Sequence, residues 1–248
     1  MKKRLTLALL TLLLSSTATA IYEEDGWHFT TFMGASTSAP NTLRVYTDDA
    51  ANHSQKAKWQ GRAFEDSFYY AIRFDKVTNQ TGWGIEWVHH KIYLANPQGP
   101  IDAFSISDGF NILYLNRVRA FDNHAYRYGA GLVFAHMDVT LDGRERFYVD
   151  GGIGGAYLSG ISAQVAVEKW LWKNDTHFVN FETKFTASYL RPPVSLDQSE
   201  FATLNNFALH FNVGLGTKPM TNKGDLKAKA KHYGPSVLYH AFAQYANF

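Results

Sequence analysis

The chain has 248 residues, no cysteine, Lys+Arg 24 against Asp+Glu 22, and 15% aromatic residues. Without cysteine there is no disulfide framework and no thiol chemistry. Charge this evenly balanced leaves no basic footprint for nucleic acid.

The N-terminus reads MKKRLTLALLTLLLSSTATA. Lys2, Lys3 and Arg4 form a basic start, Leu5 to Leu14 an apolar run, and Ala18-Thr19-Ala20 a small-residue cleavage pattern. This is the order of a secretory signal, assigned to 1–20 with cleavage expected after Ala20. The apolar run is too short to cross roughly 30 Å of hydrocarbon as a helix. Cleavage removes three cations and no acid, leaving 21 basic against 22 acidic side chains. No later run of about 18 apolar residues suggests a transmembrane helix. Two classes fit an exported, aromatic- and glycine-rich chain of this kind: a soluble lipocalin-like barrel or an outer-membrane barrel.

Period-two alternation dominates after the leader. In HFVNFETKFTASYL, Val179, Phe181, Thr183, Phe185, Ala187 and Tyr189 share one face, and Asn180, Glu182, Lys184, Thr186 and Ser188 the other. NNFALHFNVGLG, AYRYGAGLVFAH and SAQVAVEKWLW alternate in the same way. Eight strands are predicted, at about 27–35, 65–75, 82–93, 103–117, 124–137, 158–172, 177–190 and 204–217. Each is long enough for a tilted membrane strand of roughly 9–11 residues. The connections alternate between long (36–64, 94–102, 138–157 and 191–203) and short (KVTNQT, VRAFDN and KNDT). Short periplasmic turns and long outer loops predict this alternation, and a soluble meander has no reason to show it. The predicted fold is all-β: an antiparallel up-and-down transmembrane barrel over 21–218, in the cell outer membrane. The segment 219–248 reads either as a periplasmic amphipathic helix or as an extra edge strand; a ninth strand would break the even count of bacterial barrels, so it is taken as a C-terminal periplasmic appendage.

In such a barrel the apolar face meets lipid and the polar face lines the interior. The expected inward set includes Arg73, Glu86, His90, Asn111, Arg127, Gln164, Glu168, Asn180, Glu182, Lys184, Thr186, Ser188, His210 and Asn212. Glu86, Glu168 and Glu182 can balance Arg73, Arg127 and Lys184, and buried charges must be paired in this way. The functional alternative for the set is a polar path or a catalytic carboxylate. Ser188 and His210 lie on neighbouring strands, so Ser188, His210 and Glu182 are a candidate Ser-His-acid set. His89 and His90 are adjacent on a strand and point to opposite faces, so they cannot share a metal. His89, Lys91 and Arg191 are expected outward at the lipid head groups, where a cation can pair with phosphate. No phosphate-loop motif occurs, GGIGGAY reads as turn material, and neither metal nor cofactor is expected.

On strand count and loop alternation, the region from Gly26 to about Lys218 resembles small eight-stranded outer-membrane barrels of the OmpA/OmpX type. The resemblance implies a monomer set in outer-membrane lipid and lipopolysaccharide and inserted by the barrel-assembly machinery. It is compatible with anchoring, adhesion, small-solute passage or lipid A modification. Among enzymes of this shape the nearest is the lipid A 3-O-deacylase, whose His-Ser pair corresponds here to LHFNVG. Asn212 stands where that serine would be, and no catalytic residue is carried over. Two functional expectations follow: a structural, adhesive or weakly conducting barrel, and a lipid A-modifying hydrolase.

Overall fold

The computed structural model describes residues 22, 25–48, 52–65, 68–122, 124–145, 156–195 and 198–218. The predicted leader, the segment 219–248 and most of GGIGGAY lie outside the described residues. Among the described residues thirteen strands form: β1 (Gly26–Ser38), β2 (Asn41–Tyr46), β3 (His53–Ala57), β4 (Trp59–Gln60), β5 (Tyr70–Thr78), β6 (Thr81–Leu94), β7 (Ile101–Ala120), β8 (Ala125–Ala135), β9 (Asp138–Leu141), β10 (Arg144–Glu145), β11 (Tyr157–Lys173), β12 (His177–Leu190) and β13 (Phe201–Thr217).

Eight of them close a ring. β1 pairs with β5, then β6, β7, β8, β11, β12 and β13 follow in order, and β13 pairs back with β1. Every pairing is antiparallel, so the ring is an up-and-down barrel without an open edge. These eight are the predicted strands.

The wall is inside-out relative to a soluble protein. Along β12, Asn180, Glu182, Lys184, Thr186 and Ser188 are buried, while the apolar set alternating with them turns outward. On the exterior, Ile85, Leu115, Val165, Val213 and Leu215 are each more than half exposed. A continuous apolar exterior around a polar interior belongs in hydrocarbon. This is an eight-stranded barrel of the outer-membrane type. At one end Trp27 and Trp83 form part of an aromatic girdle, with Lys76 and Arg117 over their rings at 5.9 and 4.9 Å.

The two ends differ. At the turn end, β5 and β6 join through Asn79 and Gln80, with φ of 48° and 60°. Positive φ at both central residues marks the primed turn whose twist suits a hairpin. The other end carries an extension where long loops were expected. β2 pairs with the start of β13, β3 with β2, β4 with the end of β6, and β9 with the start of β7. Asp142-Gly143, at φ of 49° and 72°, turns β9 into β10. The polar composition of 36–64 hid a strand alternation: Leu43, Val45, Ala57 and Trp59 point inward, while Arg44, Lys56 and Lys58 point out. The inward set joins Ile92, Phe104, Ile106, Val139 and Leu204 in one apolar cluster.

Candidate functional site in the barrel lumen

The middle of the lumen is an ion-pair network built on Arg73. Its Nη1 donates to Glu168 Oε2 at 2.9 Å, and its Nη2 donates to Glu86 Oε1 at 2.9 Å and also to Glu182 Oε2. Its guanidinium lies 4.4 Å from the centre of the Phe32 ring. Lys184 Nζ donates to Glu86 Oε1 at 2.5 Å and sits 3.2 Å from Glu182 Oε1. Arg127 grips Asp75 with both Nη atoms, at 2.7 Å each. Such a two-point fork fixes orientation as well as charge.

Three cations therefore meet four carboxylates, and neutral donors take the remaining oxygens. Asn180 and Trp170 donate to Glu168 Oε1 at 2.7 and 3.0 Å. Gln164 and Asn116 donate to Glu86 Oε2 at 2.7 and 3.1 Å, and Asn212 to Glu182 Oε1 at 3.0 Å. Every one of these side chains is almost completely buried. Space for them comes partly from glycine. A Cβ at Gly84 would overlap Asp75 Oδ1, and one at Gly214 would overlap Asn180 Oδ1.

The alternation placed Arg73, Glu86, Arg127, Glu168, Glu182 and Lys184 in the lumen, and the structure joins them. It did not single out Asp75, although Asp75 stands two residues beyond Arg73 on the same face of β5. It also missed Tyr22, for which no strand pattern gives a signal. The Tyr22 hydroxyl donates to Asp75 Oδ2 at 3.2 Å and accepts from Arg127 Nη2 at 3.3 Å. Its ring packs edge-on to His28 and against Trp170. With Val77, Val118 and Phe178 it closes the turn end of the lumen.

Toward the extension, His90 and His210 lie in the lumen with ring centroids 5.1 Å apart. His90 Nδ1 pairs with Ser36 Oγ at 2.9 Å. His210 uses both nitrogens, on Tyr69 Oη at 3.0 Å and Thr186 Oγ1 at 2.9 Å. Ser188 Oγ donates to Ser162 Oγ at 2.7 Å, and Ser162 Oγ pairs with the Tyr114 hydroxyl at 2.7 Å. The strand register explains the separation. His210 stands opposite Lys184, and Ser188 opposite Asn206. Four residues of strand, about 14 Å at 3.4 Å per residue, lie between those two rows. The structure thus gives Ser188, His210 and Glu182 separate partners and does not join them.

Two outward assignments change. His89 faces away from the lumen but is only 2% exposed, stacked on Tyr70 at 5.0 Å and bonded to Asn111 Oδ1 at 2.8 Å. Asn111 is therefore on the outer face, not in the lumen. Lys91 is 1% exposed and donates to the carbonyl of Glu65. The segment before β5 occupies Lys91, so neither side chain reaches the surface. Arg191 is exposed, with its guanidinium 3.8 Å above the Phe201 ring.

No protein-family model matches this sequence, and no curated protein matches it by sequence. Among solved structures, the chain is similar in fold to neisserial surface protein A, with 11% identity over 78% of this chain and 97% of that one and a TM-score of 0.38. It is similar to the outer membrane protein OprG from Pseudomonas aeruginosa, with 11% identity over 78% and 96% of the two chains and a TM-score of 0.41. It is also similar to the outer membrane protein AlkL in lipid bilayers, with 9% identity over 84% and 97% and a TM-score of 0.47.

Proposed function

We propose that this protein is a non-conducting outer-membrane barrel of Gram-negative type, which holds a rigid platform outside the cell for structural or adhesive contact. The observation that carries the reading is the filled lumen. Interlocked ion pairs occupy its middle, and an apolar cluster lies toward each end. Moving an ion through it would require breaking pairs whose charges have no access to water, at a cost of several kcal/mol for each. Chain entry and the short turns share one end, which a secretory leader would leave in the periplasm, so the extension faces outward. The barrel acts as a monomer in outer-membrane lipid and lipopolysaccharide, delivered there by the barrel-assembly machinery.

Planar bilayers test the closed lumen. Purified protein should stay silent across the accessible voltage range, and steady ohmic conductance would overturn the reading. Orientation is tested by amine labelling of intact cells with a membrane-impermeant reagent. Lys76, exposed at the turn end, should react in lysed but not in intact cells, and its modification in intact cells would reverse the assignment.

A further inference from the structure

The extension places a row of cations at the boundary of the lipid-facing wall. β2 begins beside the outward Tyr189: Asn41 Nδ2 donates to the carbonyl of Asn205, and Asn205 stands opposite Tyr189. Below Tyr189 on the same face come Ala187 and Phe185, part of the apolar wall. Above it, the register carries Arg44 to Ser54 and Thr42 to Lys56. Arg44 and Lys56 are therefore diagonal neighbours on one face, roughly 7–8 Å apart. Lys58 follows two residues along, a further ~7 Å. All three are exposed. Counted in ladder steps, each lies within about 10 Å of the Tyr189 row, where the outer face passes from Phe185 and Tyr189 to Arg191.

No carboxylate among the described residues pairs with Arg44, Lys56 or Lys58, although Arg62 beside them pairs with Glu65 at 3.8 Å. The opposite faces of these strands are committed to the apolar cluster through Leu43, Val45 and Ala57. That packing holds the cations on a fixed scaffold, which reduces the ordering cost of binding. Cations with no carboxylate partner among the described residues, continuous with a wall that contacts acyl chains, match a lipid with several phosphates on its head group.

We propose that Arg44, Lys56 and Lys58 bind the phosphates of an outer-leaflet glycolipid whose acyl chains lie against the wall beneath Tyr189. The proposal rests on the membrane placement above. Its test does not, because it is run in detergent, where orientation and conduction play no part.

The full chain, folded in detergent micelles and immobilised, is titrated with rough lipopolysaccharide and with the same glycolipid after enzymatic dephosphorylation. The wild type should bind the phosphorylated form at least about tenfold more tightly, and binding should weaken as salt screens the charges. The R44Q/K56Q/K58Q variant should lose that preference, while R144Q, on the β10 side of the extension, should keep it. Heat-modifiable gel mobility shows that each variant is folded, as expected for exposed positions. Equal binding of both glycolipids by the wild type would overturn the proposal, as would a wild-type preference in the triple variant or an equal loss in R144Q. Millimolar inorganic phosphate is included as a competitor. Complete displacement by it would replace the glycolipid with a free anion and also overturn the assignment.

Discussion

The middle of the lumen and the extension are both buried, yet they are held together by opposite means. Around Arg73 the interior is charge on charge, with each carboxylate oxygen set against a specific donor. In the extension the interior is Leu43, Val45, Ile92, Phe104 and Ile106, with no ion pair among them. The exterior explains the difference. A membrane barrel has spent its apolar face on lipid, so alternation leaves polar residues to fill the narrow interior. Above the bilayer the outer face meets water, and the same alternation returns the apolar face to the inside. One chain thus carries both patterns, and the change begins inside the barrel, where Ile112 and Val133 fill the lumen beside the outward Leu113 and Leu132.

The sharpest way to break the comparison is to remove the hub of the charged region. Arg73→Met leaves Glu86, Glu168 and Glu182 without their shared cation, and breaking a buried pair costs about 3–5 kcal/mol. Urea unfolding in micelles should show a loss of at least that size. A loss under about 1 kcal/mol, the value of an exposed pair, would mean that water reaches the network and that the lumen is open. In the extension the corresponding deletion is Leu43→Ala. It should cost about 2–5 kcal/mol through lost burial and a cavity. The damage should stay local: protease should cut within 39–64 while the barrel keeps its heat-modifiable mobility. Loss of the whole barrel would show that the two regions form one cooperative unit.

The same contrast decides what could be read in the sequence. β12 was predicted at 177–190 and found there, because its alternation is unbroken. The charged lumen was legible for the same reason, since an ionisable residue on the inward face of a membrane strand has to find a partner. β5 was expected from 65 but begins at Tyr70. The preceding Tyr69 turns inward onto His210, and the ladder starts only after it. The extension was not legible because its strands are short and β2 to β4 sit in a segment, 36–64, rich in Ser, Thr and Asn, so composition outweighed period. The candidate Ser-His-acid set is not brought together, because the register puts Ser188 opposite Asn206 and not His210. The sequence cannot express that offset except through the ring as a whole.

Tyr22 tests how far the charged region depends on a residue outside the barrel strands. It holds a positive φ of 55°, unusual for a bulky side chain, so the contacts around it must fix it there. Tyr22→Phe keeps the ring against His28 and Trp170 but removes the hydroxyl between Asp75 and Arg127. The expected cost is about 1–3 kcal/mol, the penalty for leaving buried polar groups unsatisfied. Tyr22→Ala should cost more and should admit small thiol reagents to a cysteine placed at Val118. Unchanged stability in Tyr22→Phe would mean that the network closes without it.

Ser188 should give the smallest effect and the clearest chemical answer. Its hydroxyl donates only to Ser162, which keeps the Tyr114 hydroxyl as a partner and also donates to the carbonyl of Ala187 at 3.4 Å. Ser188→Ala therefore removes one neutral hydrogen bond at the edge of the lumen, worth about 0.5–1.5 kcal/mol. No charge is stranded, unlike at Arg73. For a nucleophile the same change would abolish activity whatever its effect on stability. The mass profile of lipid A from cells carrying Ser188→Ala should equal that from cells carrying the wild-type chain, and both should equal that of a deletion strain. A mass difference that appears with the wild type and disappears with Ser188→Ala would require His210 to leave Thr186 and Tyr69 and cross the rows separating it from Ser188. It would make the hydroxyl-lined part of the lumen a working site and not a packed one.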